Sequence, residues 1–362
     1  MFDVVIVGAG VIGLSCARRL QQAGARVAVV SPDSVERTTS WIAAAVWYPT
    51  ALDADPRVLG WAGRTFDEFA RQTAQGVPGV TMRATRMLLR GSTDTPWWAA
   101  AVPDFRSIAA VPADRRVPAG RGVPAGRGVP AGRGVPAGRA VRAAAEGYAA
   151  AGPSTALASV AASPYTGEWW FTVPTVNMGV YLNWQLEQVI SGGGVLLRRR
   201  LTRLADVADL APVTVNATGL AARQLADDAA VHPIRGRIVV VTNPGISTSV
   251  RDEDDPAGTT YVHPRDRDVV LGGTYEPGEA GLAPDPEVSR AIVARCTALV
   301  PELAGTRMLA ELTGLRPGRE GGIRLEPDPT AGTTRLIHNY GHAGAGMTLS
   351  WGCADEVAAL VA

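Results

Sequence analysis

The chain has 362 residues, 46% of them hydrophobic, and a formal net charge of +1. This is material for one large or two medium globular domains, and the near-neutral balance gives no electrostatic reason to expect nucleic acid or an anionic membrane as partner. All 35 basic residues are arginine; without lysine there is no side-chain Schiff base and no Walker-type phosphate lysine, which excludes pyridoxal-phosphate chemistry and P-loop phosphoryl transfer.

No apolar run reaches the ~18 residues of a membrane span. The first apolar run lacks a basic segment ahead of it and reads as a structural strand, so no signal peptide is expected. The final Ala-Leu-Val-Ala is not a peroxisomal signal, and the expected location is cytoplasmic. Cys16, Cys296 and Cys353 show no C-x-x-C spacing, and His232, His263, His338 and His342 no H-x-x-x-H spacing. Neither a redox dithiol nor a metal site is expected.

In chain order, the first element is an apolar strand, Val4 to Val7, which runs into Gly8-Ala-Gly10-Val-Ile-Gly13 and then a helix, Leu14 to Ala23. A second strand follows at Arg26 to Val30. This strand–turn–helix–strand context makes the G-x-G-x-x-G spacing a dinucleotide-binding signal. Gly8 permits the tight turn, Gly10 lets a pyrophosphate approach the backbone, and Gly13 lets the helix pack close to the strand. The helix N-terminus offers free N–H groups to phosphate. Asp33, twenty residues after Gly13, stands where an acid would meet a ribose hydroxyl.

Val58 to Gln72 reads as a helix, with Trp61, Thr65, Phe66 and Phe69 at helical spacing. Met87 to Arg90 reads as a strand. Residues 115–138 hold four six-residue units of the type Arg-Gly-Val-Pro-Ala-Gly. Proline and glycine at half of each unit exclude helix and central strand, and the period is too short for a solenoid, so a flexible loop insertion is expected. Trp169 to Val173 is a strand, Tyr181 to Ile190 a helix stopped by Gly192-Gly-Gly194, and Val195 to Arg200 a strand. Val213 to Asn216 is a strand leading through Ala217-Thr218-Gly219 into a helix. Ile238 to Val241 and Val269 to Leu271 are strands, and Val288 to Leu299 is a helix. Last, Leu336 to Asn339 is a strand that enters a second glycine-rich turn, Gly341-His-Ala-Gly344-Ala-Gly346, and a helix from Met347 to Leu360. That turn reads either as a second cradle for a large cofactor, such as a flavin that becomes anionic on reduction, or as a tight turn alone.

The chain resembles the D-amino-acid oxidase family of flavoenzymes. The resemblance rests on VVIVGAGVIGLSCARRL at the start and Thr38-Thr39-Ser40 through Trp47-Tyr-Pro49. It continues in Val215 to Gly219, Arg235-Gly236-Arg237, Tyr261-Val-His-Pro-Arg265 and Leu271-Gly-Gly-Thr274. It closes with Gly314-Leu-Arg316-Pro317 and His338 to Thr348. These segments span the whole chain apart from the repeat.

The resemblance implies an α/β fold. A discontinuous Rossmann-like FAD-binding domain comes from 1–50, 176–230 and 305–362. A substrate domain with a mainly antiparallel sheet comes from 51–175 and 231–304, interrupted at 115–138. It implies noncovalent FAD held by Gly8, Gly10, Val11, Ile12, Gly13, Ser31, Thr38, Thr39, Ser40, Ala44, Ala45, Leu201, Thr218 and Gly219. The second turn, Gly341, His342, Ala343, Gly344, Ala345, Gly346, Met347 and Thr348, would complete the cofactor site, with the Thr348 hydroxyl donating toward the flavin pyrimidine oxygen and Arg235 nearby.

The substrate residues implied are Arg316 and Tyr261 for the carboxylate and the Gly344 carbonyl for the amine. A planar guanidinium suits bidentate carboxylate binding. Arg-Pro in a loop is otherwise the pattern of a surface salt bridge. The expected reaction is oxidation of a D-amino acid, by hydride transfer from Cα to flavin N5, with O2 as second substrate, hydrogen peroxide as product and a 2-oxo acid and ammonia released. A homodimer is an admissible assembly.

Two departures from the family pattern stand out. Ala257 occupies the region where some members carry a second active-site tyrosine, and the acidic stretch Val250 to Gly258 is a candidate lid. The second turn carries His-Ala-Gly-Ala-Gly where many animal members carry Gly-Gly-Tyr-Gly. Three alternatives stay open. Glycine oxidase or D-aspartate oxidase belongs to the same family, and the latter needs a further cation, for which Arg251 is the candidate. An NAD-dependent dehydrogenase would have no use for the second turn. A flavin-binding scaffold without catalysis would use the arginine repeat as an arm.

Overall fold

The computed structural model describes residues 1–49, 55–109, 164–329 and 335–362. The hexapeptide repeat at 115–138 lies outside the described residues. Two sheets carry the fold. The first has six strands in the order β14-β15-β7-β1-β2-β6. Here β1 is Val4–Val7, β2 Val27–Ser31, β6 Val195–Arg198, β7 Val213–Asn216, β14 Arg324–Pro327 and β15 Arg335–Tyr340. All pairings are parallel except the edge strand β14. Val4 to Val7 and Val27 to Ser31 are buried throughout, as expected of parallel strands covered on both faces.

Helices cover this sheet: α1 Val11–Gln22, α3 Met178–Ser191, the short α4 Ala222–Leu225 and the last helix, α6 Gly346–Val361, on whose outer side α2 Pro56–Ala74 packs. Close approach is written into two glycines. A Cβ on Gly13 would lie 1.9 Å from the Gly8 carbonyl oxygen, and one on Gly352 2.2 Å from the Trp61 carbonyl oxygen. The first fixes α1 against β1; the second lets α6 meet α2.

The second sheet has nine strands: β3 Val80–Leu89, β4 Arg106–Ala109, β5 Gly167–Val176, β8 Val231–Thr242, β9 Ser249–Asp252, β10 Thr260–Pro264, β11 Asp268–Gly272, β12 Glu276–Pro277 and β13 Met308–Arg319. Its pairings are antiparallel except β3 with β9. The helix α5, Pro286–Leu299, packs on it through Ile292 and Cys296.

Three sequence expectations need correction. Arg316-Pro317 is not in a loop; it lies in the twelve-residue strand β13, which pairs along its length with β8. The chain therefore leaves the second sheet after Arg319, so the expected boundary at 304/305 does not coincide with the change of sheet. The candidate lid is also not one loop. Val250 to Asp252 are the end of β9, hydrogen-bonded to β10 and β3. Asp252 is fully buried and accepts hydrogen bonds from Arg90 at 2.7 Å and Tyr165 at 2.9 Å.

Candidate active site

The carboxyl ends of the parallel strands open onto one cavity of about 1110 Å3 that continues to the face of the second sheet. Ligands of open parallel sheets bind at such ends, where neighbouring connections diverge. Here β1 sits between β2 and β7, so the crevice opens over Gly8.

At the dinucleotide end, Gly8 has φ of +118° and its missing Cβ makes room for the Ala217 carbonyl, 2.3 Å from the ideal Cβ position. Ser40 reaches across to accept the Val11 N–H at 3.0 Å. The Thr38-Thr39-Ser40 segment is thereby tied to the start of α1. A Cβ on Gly10 would stand 3.1 Å from that serine oxygen, so the backbone stays open to a ligand. The turn after β7 is held by Asn216, whose Oδ1 accepts from the Thr218 N–H and hydroxyl at 3.2 and 2.7 Å. Behind it, buried Asn216 meets His338 Nδ1 at 3.2 Å, and His338 Nε2 meets Asp328 at 3.1 Å.

The second glycine turn sits against the strand that carries Arg316. The Ala343 N–H donates to the Pro317 carbonyl at 2.9 Å, and the Thr39 hydroxyl donates to the Leu315 carbonyl at 2.9 Å. Residues 315–317 are thus clamped between the two cofactor-side segments. Gly314 permits this: a Cβ there would lie 2.2 Å from Ile42 Cδ1.

At the far end, Arg316 lies over the Tyr275 ring at 5.6 Å and donates to the carbonyls of Arg235 and Thr274 at 3.3 and 3.2 Å. No carboxylate pairs with it among the described residues. Its neighbours differ: Arg235 and Arg237 both pair with Glu276, through contacts of 2.8 and 3.3 Å. Of three clustered guanidiniums, Arg316 keeps its charge for a ligand. Tyr261 pairs across the sheet with Gly272, whose missing side chain leaves room for its ring; a Cβ there would fall 1.9 Å from the ring carbon that bears the hydroxyl. Burial raises the Tyr261 phenol above its ordinary range, opposed by Arg316 and Arg251, so it stays a proton donor at neutral pH. His263 stacks on that ring at 4.6 Å. Burial, then the nearby Arg251, pushes its imidazole well below the usual range.

Most of the cofactor residues expected from the sequence line this cavity, as do Arg316, Tyr261 and Gly344. Gly13, Gly341 and Ala345 do not: Gly13 serves helix packing, Gly341 sits against Arg319, and the fully buried Ala345 is the residue before α6. Thr348 lines the cavity, but its hydroxyl donates to the Tyr48 carbonyl at 3.0 Å and accepts the Tyr48 N–H at 3.1 Å. Its one proton is therefore engaged, contrary to expectation. The unbonded N–H groups of the first turn of α6 are the donors left at that point. Arg235 is tied to Glu276 and does not line the cavity.

Among the lining residues that carried no reading of their own are Tyr48, Tyr275, Glu253 and His263. Two of them are tyrosines supplied from elsewhere in the chain where the 257 region has none. Only the alternation of β10 could have pointed to His263, since it lies two residues after Tyr261 on the same strand face.

The cavity contains a two-ended cradle for a long dinucleotide cofactor. His342 and Asn339 are among the residues that line it, and the buried Nε2 of the first and Oδ1 of the second have no hydrogen-bond partner among the described residues. A family model described as FAD dependent oxidoreductase matches residues 3–360. The chain belongs to that family. A D-amino-acid oxidase from Rubrobacter xylanophilus is 40% identical over 98% of this chain and 94% of that protein. One from Streptomyces coelicolor is 38% identical over 99% of this chain and 96% of that protein. Among solved structures, glycine oxidase from Geobacillus kaustophilus matches with a TM-score of 0.71 over 99% of this chain and 94% of that one, at 19% identity, a likeness of fold. As an FAD-dependent oxidoreductase, the protein would hold the pyrophosphate at Gly8, Gly10 and the start of α1, and the ring system toward Gly344 to Thr348.

Proposed function

We propose that the protein is a D-amino-acid oxidase, converting a D-amino acid to an imino acid that hydrolyses to a 2-oxo acid and ammonia. The observation that carries this reading is Arg316: a guanidinium without a carboxylate partner among the described residues, in the same cavity as the dinucleotide turn. The two relatives that bear this name cover nearly the whole chain. FAD, when bound, supplies a two-electron acceptor for the substrate hydride, and O2 takes the electrons as hydrogen peroxide.

The chain's own residues position and neutralise. Arg316 receives the substrate carboxylate on two N–H groups, and the Tyr261 hydroxyl donates a further hydrogen bond. The Gly344 carbonyl accepts from the amine. With carboxylate and amine both held, only one configuration at Cα would turn its hydrogen toward the flavin face, and in this reading it is the D-isomer. Loss of hydride from the neutral amine gives the protonated imine and requires no general base at Cα, and burial leaves the His263 and His342 imidazoles only weakly basic. In this reading FAD is held noncovalently, as the resemblance implies, and Cys16, Cys296 and Cys353 are buried away from the cavity.

A peroxide-coupled screen of D-amino acids, their L-isomers, glycine and D-aspartate tests the reading. Peroxide from neutral D-amino acids and none from L-isomers is expected. Peroxide from glycine alone would replace this reading with glycine oxidase, and no peroxide from any of them would end it. Acid precipitation should leave all yellow colour in the supernatant.

A further inference from the structure

The cavity holds a second arginine besides Arg316. Arg251 is cross-strand neighbour of Tyr261. It is 6% exposed, and its guanidinium lies 4.3 Å from the Tyr48 ring centre and 5.9 Å from that of Tyr261. Its Nε is buried without a partner. The two guanidiniums therefore lie around Tyr261, one bare and one not. Arg251 is ion-paired with Glu253, and the same carboxylate accepts the Tyr48 hydroxyl at 3.1 Å. Arg251, Glu253 and Tyr48 all line the cavity.

We propose that Glu253 sets the charge selectivity of the substrate side-chain pocket by neutralising Arg251. The inference rests on the oxidase reading above and deepens it. With Arg316 taking the α-carboxylate, the side chain points into the remaining part of the cavity beside Arg251 and Glu253. The pair has no net charge, so a neutral side chain meets no unmatched ion. An acidic side chain would need Arg251, but Glu253 already holds it, and a second carboxylate would be placed against the first with little water between them. Like charges so placed repel, and a desolvated carboxylate without its own cation is costly. Tyr48 fixes Glu253 in that position from the other side. The pocket thus contains the cation that an acidic substrate needs and an internal anion that withholds it.

Glu253→Gln keeps the acceptor for Tyr48 and removes the charge. In that variant the ratio of kcat/KM for D-aspartate to that for D-alanine should rise by at least about tenfold, the equivalent of 1.4 kcal/mol. The double variant Glu253→Gln/Arg251→Met should lose the gain, which assigns it to the unmasked guanidinium. A ratio within twofold of the parent in Glu253→Gln, or an equal gain in the double variant, would overturn the proposal. Should the variants fail to fold, the parent holoprotein decides. Propionate and succinate differ by one carboxylate, as D-alanine and D-aspartate do. Thermal stabilisation by propionate at concentrations at least tenfold below those needed for succinate supports masking; equal or tighter succinate binding overturns it. A parent that binds these acids in the expected order but makes no peroxide from any D-amino acid would sink the oxidase reading and leave the charge masking standing.

Discussion

The Arg316 guanidinium fills the space where Gly236 lacks a side chain: an ideal Cβ on Gly236 would stand 2.3 Å from Nη1 and 2.5 Å from Cζ. The two residues lie on adjacent strands, β13 and β8, in a register that pairs Gly236 with Gly314. The two glycines that face each other thus make room for different neighbours: Gly236 for the Arg316 guanidinium and Gly314 for Ile42. Gly236→Ala should push the guanidinium aside and not break the sheet, because the clashing atoms are the end of a flexible side chain. The expected outcome is a loss in kcat/KM on the order of tenfold or more, with FAD content unchanged and Tm moved by no more than about 4 °C, equivalent to about 3 kcal/mol at this chain length. Steady-state kinetics beside a melting curve check this; normal turnover would show that Arg316 can work from another position.

Replacing Arg316 itself separates substrate binding from structure. Arg316→Lys keeps a charge and loses the two-pronged donor, and should lower kcat/KM on the order of 10²-fold, about 2.7 kcal/mol. Arg316→Ala should be worse, since the substrate carboxylate would be desolvated without a partner. The flavin spectrum and Tm should hardly move in either variant. Loss of FAD with normal turnover per remaining flavin would make Arg316 a structural residue.

Gly13→Ala addresses the packing of α1 on β1. The added methyl would sit 1.9 Å from the Gly8 carbonyl oxygen, and backbone on both sides cannot yield cheaply. The turn would open and the helix N-terminus would leave the pyrophosphate position. The variant should purify with less than about a tenth of the parent's FAD, or unfold at lower denaturant, by about 2 to 3 kcal/mol of overpacking. Full FAD occupancy with an unchanged urea midpoint would contradict the assigned packing role.

Acid should destabilise the cofactor-free protein through its buried histidines. Burial alone pushes His342 down to about 3 from an ordinary 6.5. The unfolded chain then binds the proton more readily than the folded one below pH 6.5. The stability His342 permits is complete above that pH and is lost as the pH falls from 6.5 toward 3, at up to about 1.4 kcal/mol per pH unit. Burial lowers His263 and His338 as well, so they act in the same direction. In His342→Gln the fall in urea midpoint between pH 7 and pH 5 should be smaller than in the parent. Parallel curves would show that His342 is not the titrating group.

The nucleotide-binding half of the molecule was legible because its determinants are local. The strands Val4–Val7 and Val213–Asn216, the glycine spacing and the final helix are each set by a few consecutive residues. Buried parallel strands need uninterrupted apolar runs, and the turns need glycine where the backbone is crowded. The strand β13 was harder to read. Gly314-Leu-Arg-Pro-Gly318 has the composition of a loop, and only eleven residues of pairing with β8 hold it extended. Val250 to Asp252 likewise reads as acidic loop until β3 and β10 supply hydrogen bonds on both sides.

The sequence by itself therefore determined the kind of cofactor cradle and the presence of an arginine suited to a carboxylate. Short-range sterics and side-chain chemistry are enough for both. Tertiary structure alone decided which arginine is available. Arg235, Arg237, Arg251 and Arg316 are chemically identical in the sequence. Glu276 pairs with the first two, Glu279 adds to Arg235, and Glu253 pairs with the third, while Arg316 stands in a space left by Gly236 with only carbonyls and the Tyr275 ring as partners among the described residues. It also decided that the Thr348 hydroxyl is spent on Tyr48, three hundred residues away in the chain. Ion pairing and hydrogen-bond saturation depend on distances between segments remote in sequence, and those distances exist only once the two sheets have come together around the cavity.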